Sequence, residues 1–251
     1  MAVFGVAAWL MIAAAGPAAA EPAPVHLATL EWSPYTSRDL PAQGPVTEII
    51  RQAFRKAGRT IKVHVLPWKR AIARAKSWES PVAAYFPGYH CRHDTGFTAS
   101  APIGNGPLNL AERADEGITW RTLEDLTKLR IGTVVGYANT PEFDAWVASG
   151  RLKVITAADD TTNLLKLAKR QVDVAVVDGL VFRYLMANEP RLAKVRSRLR
   201  LDDMILAHKT LYLCFRDTPD GHRLVGAFNK GLGAIDKRRI MEETFKRLLV
   251  P

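Results

Sequence analysis

The sequence predicts an α/β fold. Strand-like and helix-like segments alternate along the chain, and 48% of its 251 residues are hydrophobic, which is enough to bury a large core. The alternation starts a second time near residue 122, with no repeat or linker between the two halves. We therefore expect two α/β units in series, the first of them completed by the C-terminal part of the chain.

The first unit opens on a short apolar strand, Val25 to Leu30. The segment PVTEIIRQAFRKAG follows, and it places Ile49, Ile50 and Phe54 on one helical face and a glycine at its end. We then expect a strand at 60–67, a helix at 68–78 and strands at 82–86 and 107–113.

The second unit begins with a short helix at 122–129, for which Thr122 is a suitable N-cap. Strands are predicted at 130–136, 152–156 and 172–179, and helices at 139–150, 159–171 and 180–188. After a polar segment, the chain ends with a strand at 211–215 and helices at 221–235 and 237–249.

The first twenty residues are apolar and uncharged, and they end in Ala18, Ala19 and Ala20. Such a segment is typical of a cleaved secretory signal peptide, although the usual positive residues at its start are missing. An uncleaved membrane anchor is the alternative, which Gly16 and Pro17 disfavour. We expect a soluble periplasmic protein that starts near Glu21.

The net charge of +10 is concentrated in basic clusters at 191–200 and 236–247. Solvated helix faces explain such clusters, and attraction to an anionic ligand or membrane surface is the alternative. Nucleic acid is not an expected partner, because an exported chain without a binding motif has no access to it. The two cysteines, Cys91 and Cys214, can form a disulfide in an oxidising compartment, but Cys214 in LYLCF equally suits a buried free thiol.

Enzyme motifs are absent from the sequence. It contains no G-x-S-x-G, H-E-x-x-H, P-loop or C-x-x-C pattern. His90, His93 and Asp94 lie close together, but three loop residues without an obvious fourth ligand are weak support for a metal site. We expect no enzymatic activity, no cofactor and no bound metal.

Five ordered blocks carry a family resemblance: EWSPYTSRDLPAQGPVTEIIRQAFRKAG, PWKRAIARA, FTASAPI, TLEDLTKLRIGTVVGYANTPEF and LLKLAKRQVDVAVVDG. In this order and spacing, the chain resembles the bacterial periplasmic solute-binding proteins of the polar amino-acid type (family 3), which serve ABC importers. The resemblance covers nearly all of the chain after the first twenty residues.

The resemblance implies the two-lobed type II periplasmic binding protein fold, with two crossover strands near 110–117 and 203–208. Lobe one is expected at 21–111 and 209–251, and lobe two, including the crossovers, at 112–208. The ligand is expected in the cleft between the lobes, which close over it.

The resemblance also implies charged anchors for an amino-acid ligand. Asp178 stands where the family places an aspartate for the ligand ammonium, whereas Asp173 is expected to be structural. The family's carboxylate-binding arginine falls on His93, one residue from Arg92. Either Arg92 replaces it through a shifted loop, which we favour because a guanidinium pairs well with a carboxylate, or the site has changed and His90 and His93 meet another ligand.

Further candidate ligand-binding residues follow from the family's cleft-facing loops. Aromatic side chains there form apolar walls or stack on cationic groups, with core packing as the alternative. Asn139 and Thr140 can help a helix N-terminus hold an anion, or merely cap the helix. The predicted site comprises Trp32, Tyr35, Tyr85, Gly88, His90, Arg92, Tyr137, Thr140 and Asp178, with Trp68 as an aromatic neighbour.

The function expected from the resemblance is the capture of a small polar ligand, an amino acid or a related small acid, by a monomer that delivers it to ABC transporter membrane subunits. Two alternatives stay open: a periplasmic enzyme on the same fold, similar to cyclohexadienyl dehydratase, and a component that presents its ligand to a membrane sensor.

Overall fold

The computed structural model describes residues 22–91 and 95–249, so the predicted signal peptide lies outside the described residues. Within them the strands are β1 (Val25–Thr29), β2 (Ile61–Val65), β3 (Val82–Gly88), β4 (Phe97–Ala99), β5 (Gly104–Arg113), β6 (Arg130–Val134), β7 (Lys153–Ala157), β8 (Val174–Asp178) and β9 (Leu199–Arg216). The helices are α1 (Pro45–Lys56), α2 (Trp68–Lys76), α3 (Pro141–Ala148), α4 (Asp160–Ala168), α5 (Gly179–Asn188), α6 (Pro219–Gly233) and α7 (Lys237–Leu249).

The strands pair in the order β2-β1-β3-β9-β5-β8-β6-β7, and β4 adds to β9. The pairs β1/β2, β1/β3, β6/β7 and β6/β8 are parallel, whereas β5 and β9 pair antiparallel with each other and with their other neighbours. Two parallel groups, each followed by helices, are thus joined by the long antiparallel pair β5/β9. We call the β1–β4 side lobe one and the β6–β8 side lobe two.

Helix α1 packs against the 32–36 turn of lobe one. It begins at Pro45, directly after Gly44, whose φ of 94° is readily adopted by a residue without a Cβ. A Cβ on Gly44 would collide with the carbonyl oxygen of Tyr35, so the glycine also lets the 32–36 turn pack against the start of α1. The buried face of the helix carries Val46, Ile49, Ile50, Ala53 and Phe54, as its periodicity predicts.

Strand β9 differs most from its prediction. The residue pattern predicts a strand at 211–215 after a polar segment, and the family resemblance adds a crossover strand near 203–208, whereas β9 runs without a break from Leu199 to Arg216. The polar residues remain extended because β5 supplies hydrogen-bonding partners along most of their length, from Arg113 opposite Leu199 to Gly104 opposite Leu211. Both predicted crossovers overlap this strand pair, and the exact lobe boundaries at 111 and 209 stay a prediction.

The predicted helix at 122–129 is wrong in length. Only a 3-10 turn forms, at Leu123–Leu126, where Leu123 and Leu126 are buried. Thr122 lies at its start as expected, and the Asp125 carboxylate accepts hydrogen bonds from the backbone N–H of Thr122 at 2.9 Å and of Arg121 at 2.9 Å. This carboxylate satisfies the free N–H groups at the start of the turn.

None of the described helices is both long enough and apolar enough to cross a membrane.

Candidate functional site

A tight turn after β1 presents two aromatic side chains of lobe one. The backbone N–H of Tyr35 donates to the carbonyl of Trp32 at 3.0 Å, and the N–H of Trp32 donates to Thr36 at 2.7 Å. The rings of Trp32 and Tyr35 stack with centroids 4.5 Å apart, and both are buried. The turn thus holds two of the predicted site residues in one rigid unit.

Asp178 faces this turn from lobe two. It ends β8 and is the N-cap of α5, where its Oδ1 accepts hydrogen bonds from Leu180 N at 2.9 Å and Val181 N at 3.1 Å. The Tyr35 hydroxyl donates to the same carboxylate, with both oxygens at 3.2 Å. Asp178 is only 2% exposed. This contact joins the two lobes through a pair of residues that the sequence predicts for the site.

A second buried carboxylate, Asp160, lies at the first turn of α4. It is 6% exposed and accepts a hydrogen bond from the Tyr137 hydroxyl at 3.1 Å. Burial raises the pKa of Asp160 to about 7, and the charge of Asp178 adds to this rise. Burial likewise raises the pKa of Asp178 to about 6, although its hydrogen bonds oppose the change.

Within the described residues, the two carboxylates have no basic partner. Neither Asp160 nor Asp178 forms a salt bridge with any residue of the described chain, and their side-chain donors are tyrosine hydroxyls. A buried carboxylate without a cation is costly, which is why such groups are normally paired. This part of the protein therefore favours a positively charged group.

An aromatic cavity adjoins the tyrosines that bind these carboxylates: Tyr137 lines it, and so does Trp32, which stacks on Tyr35. Its walls comprise Leu30, Trp32, Trp68, Ile72, Tyr85, Pro87, Gly88, Tyr89, His90, Gly136, Tyr137 and Ala138. The indole N–H of Trp68 in lobe one donates to the carbonyl of Gly136 in lobe two at 3.0 Å, so the lobes are in contact across the cavity. Its volume of about 90 Å³ is smaller than the roughly 150 Å³ that admits a benzene ring.

The buried indole N–H of Trp32 has no hydrogen-bond partner among the residues that the structure describes.

The loop after β3 is held by a disulfide. Cys91 and Cys214 are bonded, with their Cα atoms 5.3 Å apart, which decides the question that their spacing left open. Gly88 pairs with Tyr212 of β9, and an added Cβ there would collide with Cys214 Sγ. Gly88 thus supports the loop by its small size. Arg92 and His93 lie outside the described residues.

The other predicted residues of this region occupy the cavity walls. Tyr85 is buried, and its hydroxyl is 3.5 Å from the His90 carbonyl oxygen, while the His90 ring is exposed. Trp68 packs edge-on against both Tyr85 and Tyr137. The aromatic residues expected at the cleft are thus close together in the structure.

Thr140 is engaged as a helix cap. Its Oγ1 accepts a hydrogen bond from Phe143 N at 3.1 Å, and Asn139 donates through its backbone and side chain to Asp144 at 3.0 Å. The capping alternative therefore describes both residues in this arrangement. Asp173 is structural as predicted, because its carboxylate pairs with Arg130 at 2.6 Å.

Three residues of the region were missed by sequence reasoning: Tyr89, Asp160 and Lys209. Tyr89 lines the cavity and contacts Trp32 edge-on, with centroids 6.1 Å apart. Asp160 follows Asp159, the exposed N-cap of α4, and the pair looks like ordinary capping. Lys209 offered one clue, since it is a charged residue beside the apolar end of a strand.

The described residues contain no group of three or more histidine, cysteine, aspartate or glutamate side chains able to hold a metal ion.

The raised pKa of Asp160 predicts a pH-dependent stability. An unfolded aspartate titrates near pH 4, so the folded ligand-free protein holds this proton more tightly and loses stability as the pH rises from about 4 to about 7. We expect Asp160→Asn to stabilise the ligand-free protein by about 4 kcal/mol at pH 8, because the pKa of Asp160 is about three units higher in the folded than in the unfolded protein. At pH 4 the substitution should have little effect. Denaturant unfolding at both pH values measures this.

Asp173→Asn is the matched control, because Arg130 lowers the pKa of Asp173. The loss of the Asp173 charge should destabilise the protein above pH 4, which is the opposite of the effect expected for Asp160→Asn. An Asp160→Asn protein that is no more stable than wild type at pH 8 would contradict the prediction.

Comparisons with known proteins show similarity in structure but not in sequence. No protein-family model matches the chain, and no curated protein matches it either. A histidine kinase sensor domain with similarity to periplasmic binding proteins superposes with a TM-score of 0.75 at 17% identity, covering 92% of this chain and 97% of that one.

Two further solved structures superpose over most of the chain. An ancestral arginine-binding protein bound to arginine has a TM-score of 0.70 at 13% identity, covering 91% of this chain and 99% of the other. The ancestral amino-acid-binding protein AncCDT-1, a precursor of cyclohexadienyl dehydratase, superposes with a TM-score of 0.65 at 15% identity. The superposition covers 89% of this chain and 94% of the other. At such identities the likeness concerns the fold alone: the chain has the two-lobed α/β Venus-flytrap fold of periplasmic binding proteins, as the resemblance implied.

Proposed function

We propose that the chain is a periplasmic solute-binding protein that captures a small amino-group-bearing ligand, an amino acid or a related small acid, between its lobes. One observation carries the proposal: Asp160 and Asp178 are buried next to the tyrosines of an aromatic cluster, without a basic partner among the described residues. A ligand ammonium supplies the missing charge, and aromatic rings favour cations at their faces.

Ligand capture involves movement in this proposal. The Tyr35 hydroxyl occupies Asp178 while the lobes touch, so an ammonium group reaches the carboxylate by replacing that hydrogen bond. The lobes separate about the β5/β9 pair, admit the ligand and close over it, as in hinged binding proteins. Arg92 remains a proposed anchor for a ligand carboxylate.

Delivery to an ABC importer is the role we propose, after export through the predicted signal peptide and as a monomer. The alternative is a ligand-presenting sensor component, which the superposition on a histidine kinase sensor domain supports. Both roles use the same binding site.

Thermal unfolding in the presence of each of the twenty standard amino acids tests the proposal. A ligand at a hundredfold excess over its Kd stabilises the folded state by about 2.7 kcal/mol. We expect at least one amino acid to raise the Tm by about 5–10 °C for a chain of this size. No shift with any of them would contradict the proposal.

Mass spectrometry of the recovered ligand separates binding from turnover. We expect the ligand unchanged after prolonged incubation with the protein, whereas a dehydratase-like enzyme would consume it.

A further inference from the structure

Lys209 is a buried lysine on the strand that joins the two lobes. It lies on β9 opposite Gly106 of β5 and is 6% exposed. It forms no salt bridge with a residue of the described ranges 22–91 and 95–249. Lysine is almost never buried unless it is paired.

The direct neighbours of the Lys209 ammonium are a backbone carbonyl, an imidazole nitrogen and a ring face. Nζ donates to the carbonyl oxygen of Asn139 in lobe two, lies 3.3 Å from Nε2 of His90 in lobe one, and sits 4.7 Å above the centre of the Tyr89 ring. Burial lowers the pKa of Lys209, because the charged form loses hydration. The Asp144 carboxylate of lobe two opposes this shift, but it forms no ion pair with Lys209. The ammonium is therefore bonded as a hydrogen-bond donor without a direct counter-charge among the described residues.

Charges of both signs surround Tyr89 without pairing with one another. Lys209 lies over its ring, while burial raises the pKa of its hydroxyl and the carboxylates of Asp178 and Asp160 add to that rise. Gly106 shows how near the Lys209 backbone is to the Asp178 carboxylate. It is the register partner of Lys209 on β5, and a Cβ added to it would collide with Asp178 Oδ2. Tyr89 and His90 both line the aromatic cavity.

We propose that Lys209, assisted by His90, binds the anionic group of the ligand while Asp178 binds its ammonium. The inference rests on the proposed function, and it adds a specificity-determining residue on the hinge strand. A ligand carboxylate takes the place of the Asn139 carbonyl at Nζ when the lobes open and close. The site then selects molecules that carry both charges and disfavours amines without a carboxylate.

Calorimetry on three ligand-free proteins tests the inference: wild type, Lys209→Met and Lys237→Met. Methionine keeps the length of the side chain without its charge. Lys237 is the matched control, because its ammonium also donates to a backbone carbonyl, Pro102 O at 2.8 Å, but this hydrogen bond is exposed to solvent. The probes are the amino acids that shift the Tm and their amides, in which a neutral carboxamide replaces the carboxylate.

We expect wild type and Lys237→Met to bind the amino acid at least thirtyfold more tightly than its amide. In Lys209→Met the affinity for the amino acid should fall by thirtyfold or more, while the affinity for the amide changes less than threefold, which removes the preference. A merely structural role for Lys209 would weaken both ligands alike. Lys209→Arg keeps the charge and should retain the preference, so it tests the inference if the methionine variant fails to fold.

The inference is overturned if Lys209→Met keeps the wild-type ratio of affinities. If only Arg92→Met lost the preference for the amino acid over its amide, the residue that binds the ligand carboxylate would be Arg92 in the loop after β3, and not Lys209. The Asp178→Asn variant distinguishes a failure of this inference from a failure of the proposed function. If this variant loses affinity for both the amino acid and the amide, Asp178 binds the ligand ammonium, whatever the result for Lys209. If neither kind of ligand binds wild type, the proposed function and the inference fall together.

Discussion

Replacing Asp178 with alanine is expected to weaken binding of an amino-acid ligand by roughly thirtyfold to several-thousandfold. The ammonium of the ligand would then be buried without its counter-charge. Removing one partner of a buried charge pair costs about 2–5 kcal/mol of binding free energy. Calorimetry with the amino acid that shifts the Tm of the wild type measures the loss.

Asp178→Asn separates charge from capping. Asparagine keeps an oxygen that can accept from Leu180 N and Val181 N, so α5 retains its N-cap, but the charge is gone. We expect it to bind nearly as poorly as the alanine variant while it unfolds at a higher temperature. Asp173→Asn, on the same segment but paired with Arg130, should bind like wild type. Normal binding by both Asp178 variants would end the ammonium hypothesis.

Removing the Cys91–Cys214 disulfide is expected to destabilise the protein by about 2–5 kcal/mol, because the bond closes a loop of 123 residues in the unfolded chain. The bond also ties the Tyr89–His90 segment, which lines the cavity, to β9. We therefore expect a Cys91→Ser/Cys214→Ser protein to unfold at lower denaturant concentration and to bind its ligand more weakly.

Reduction of the wild type provides the control for this prediction. A reductant should lower the stability of the wild-type protein towards that of the double variant and leave the variant itself unchanged. Equal stability of reduced and oxidised wild type would show that packing around Gly88 and Cys214, rather than the covalent bond, holds the loop.

The proposed mechanism relates stability to function through Asp160. Its buried carboxylate destabilises the ligand-free protein at neutral pH, and a cation in the cleft removes that penalty. Ligand binding should therefore stabilise the wild type more at pH 8 than at pH 5, since at pH 5 the carboxyl group is already neutral.

The α/β class was predictable because hydrophobic periodicity is a local property of each segment. The helix α1 and the buried strand β8 follow from it directly, and so does the placement of Asp178 at the junction of β8 and α5. Strand β9 was only partly predictable, because its polar half is extended through pairing with β5 and not through its own pattern.

The sequence by itself determined the two α/β units and the aspartate at the end of β8, and its family resemblance pointed to Trp32, Trp68, Tyr85 and Tyr137 of the cavity wall but not to Tyr89. Only the tertiary structure decided that Cys91 bonds to Cys214, that Asp160 rather than Asp159 is buried, and that Lys209 lies over Tyr89. The physical reason is distance along the chain: these contacts join residues from different strands and lobes, so they depend on strand register and lobe packing, which no local pattern of residues records.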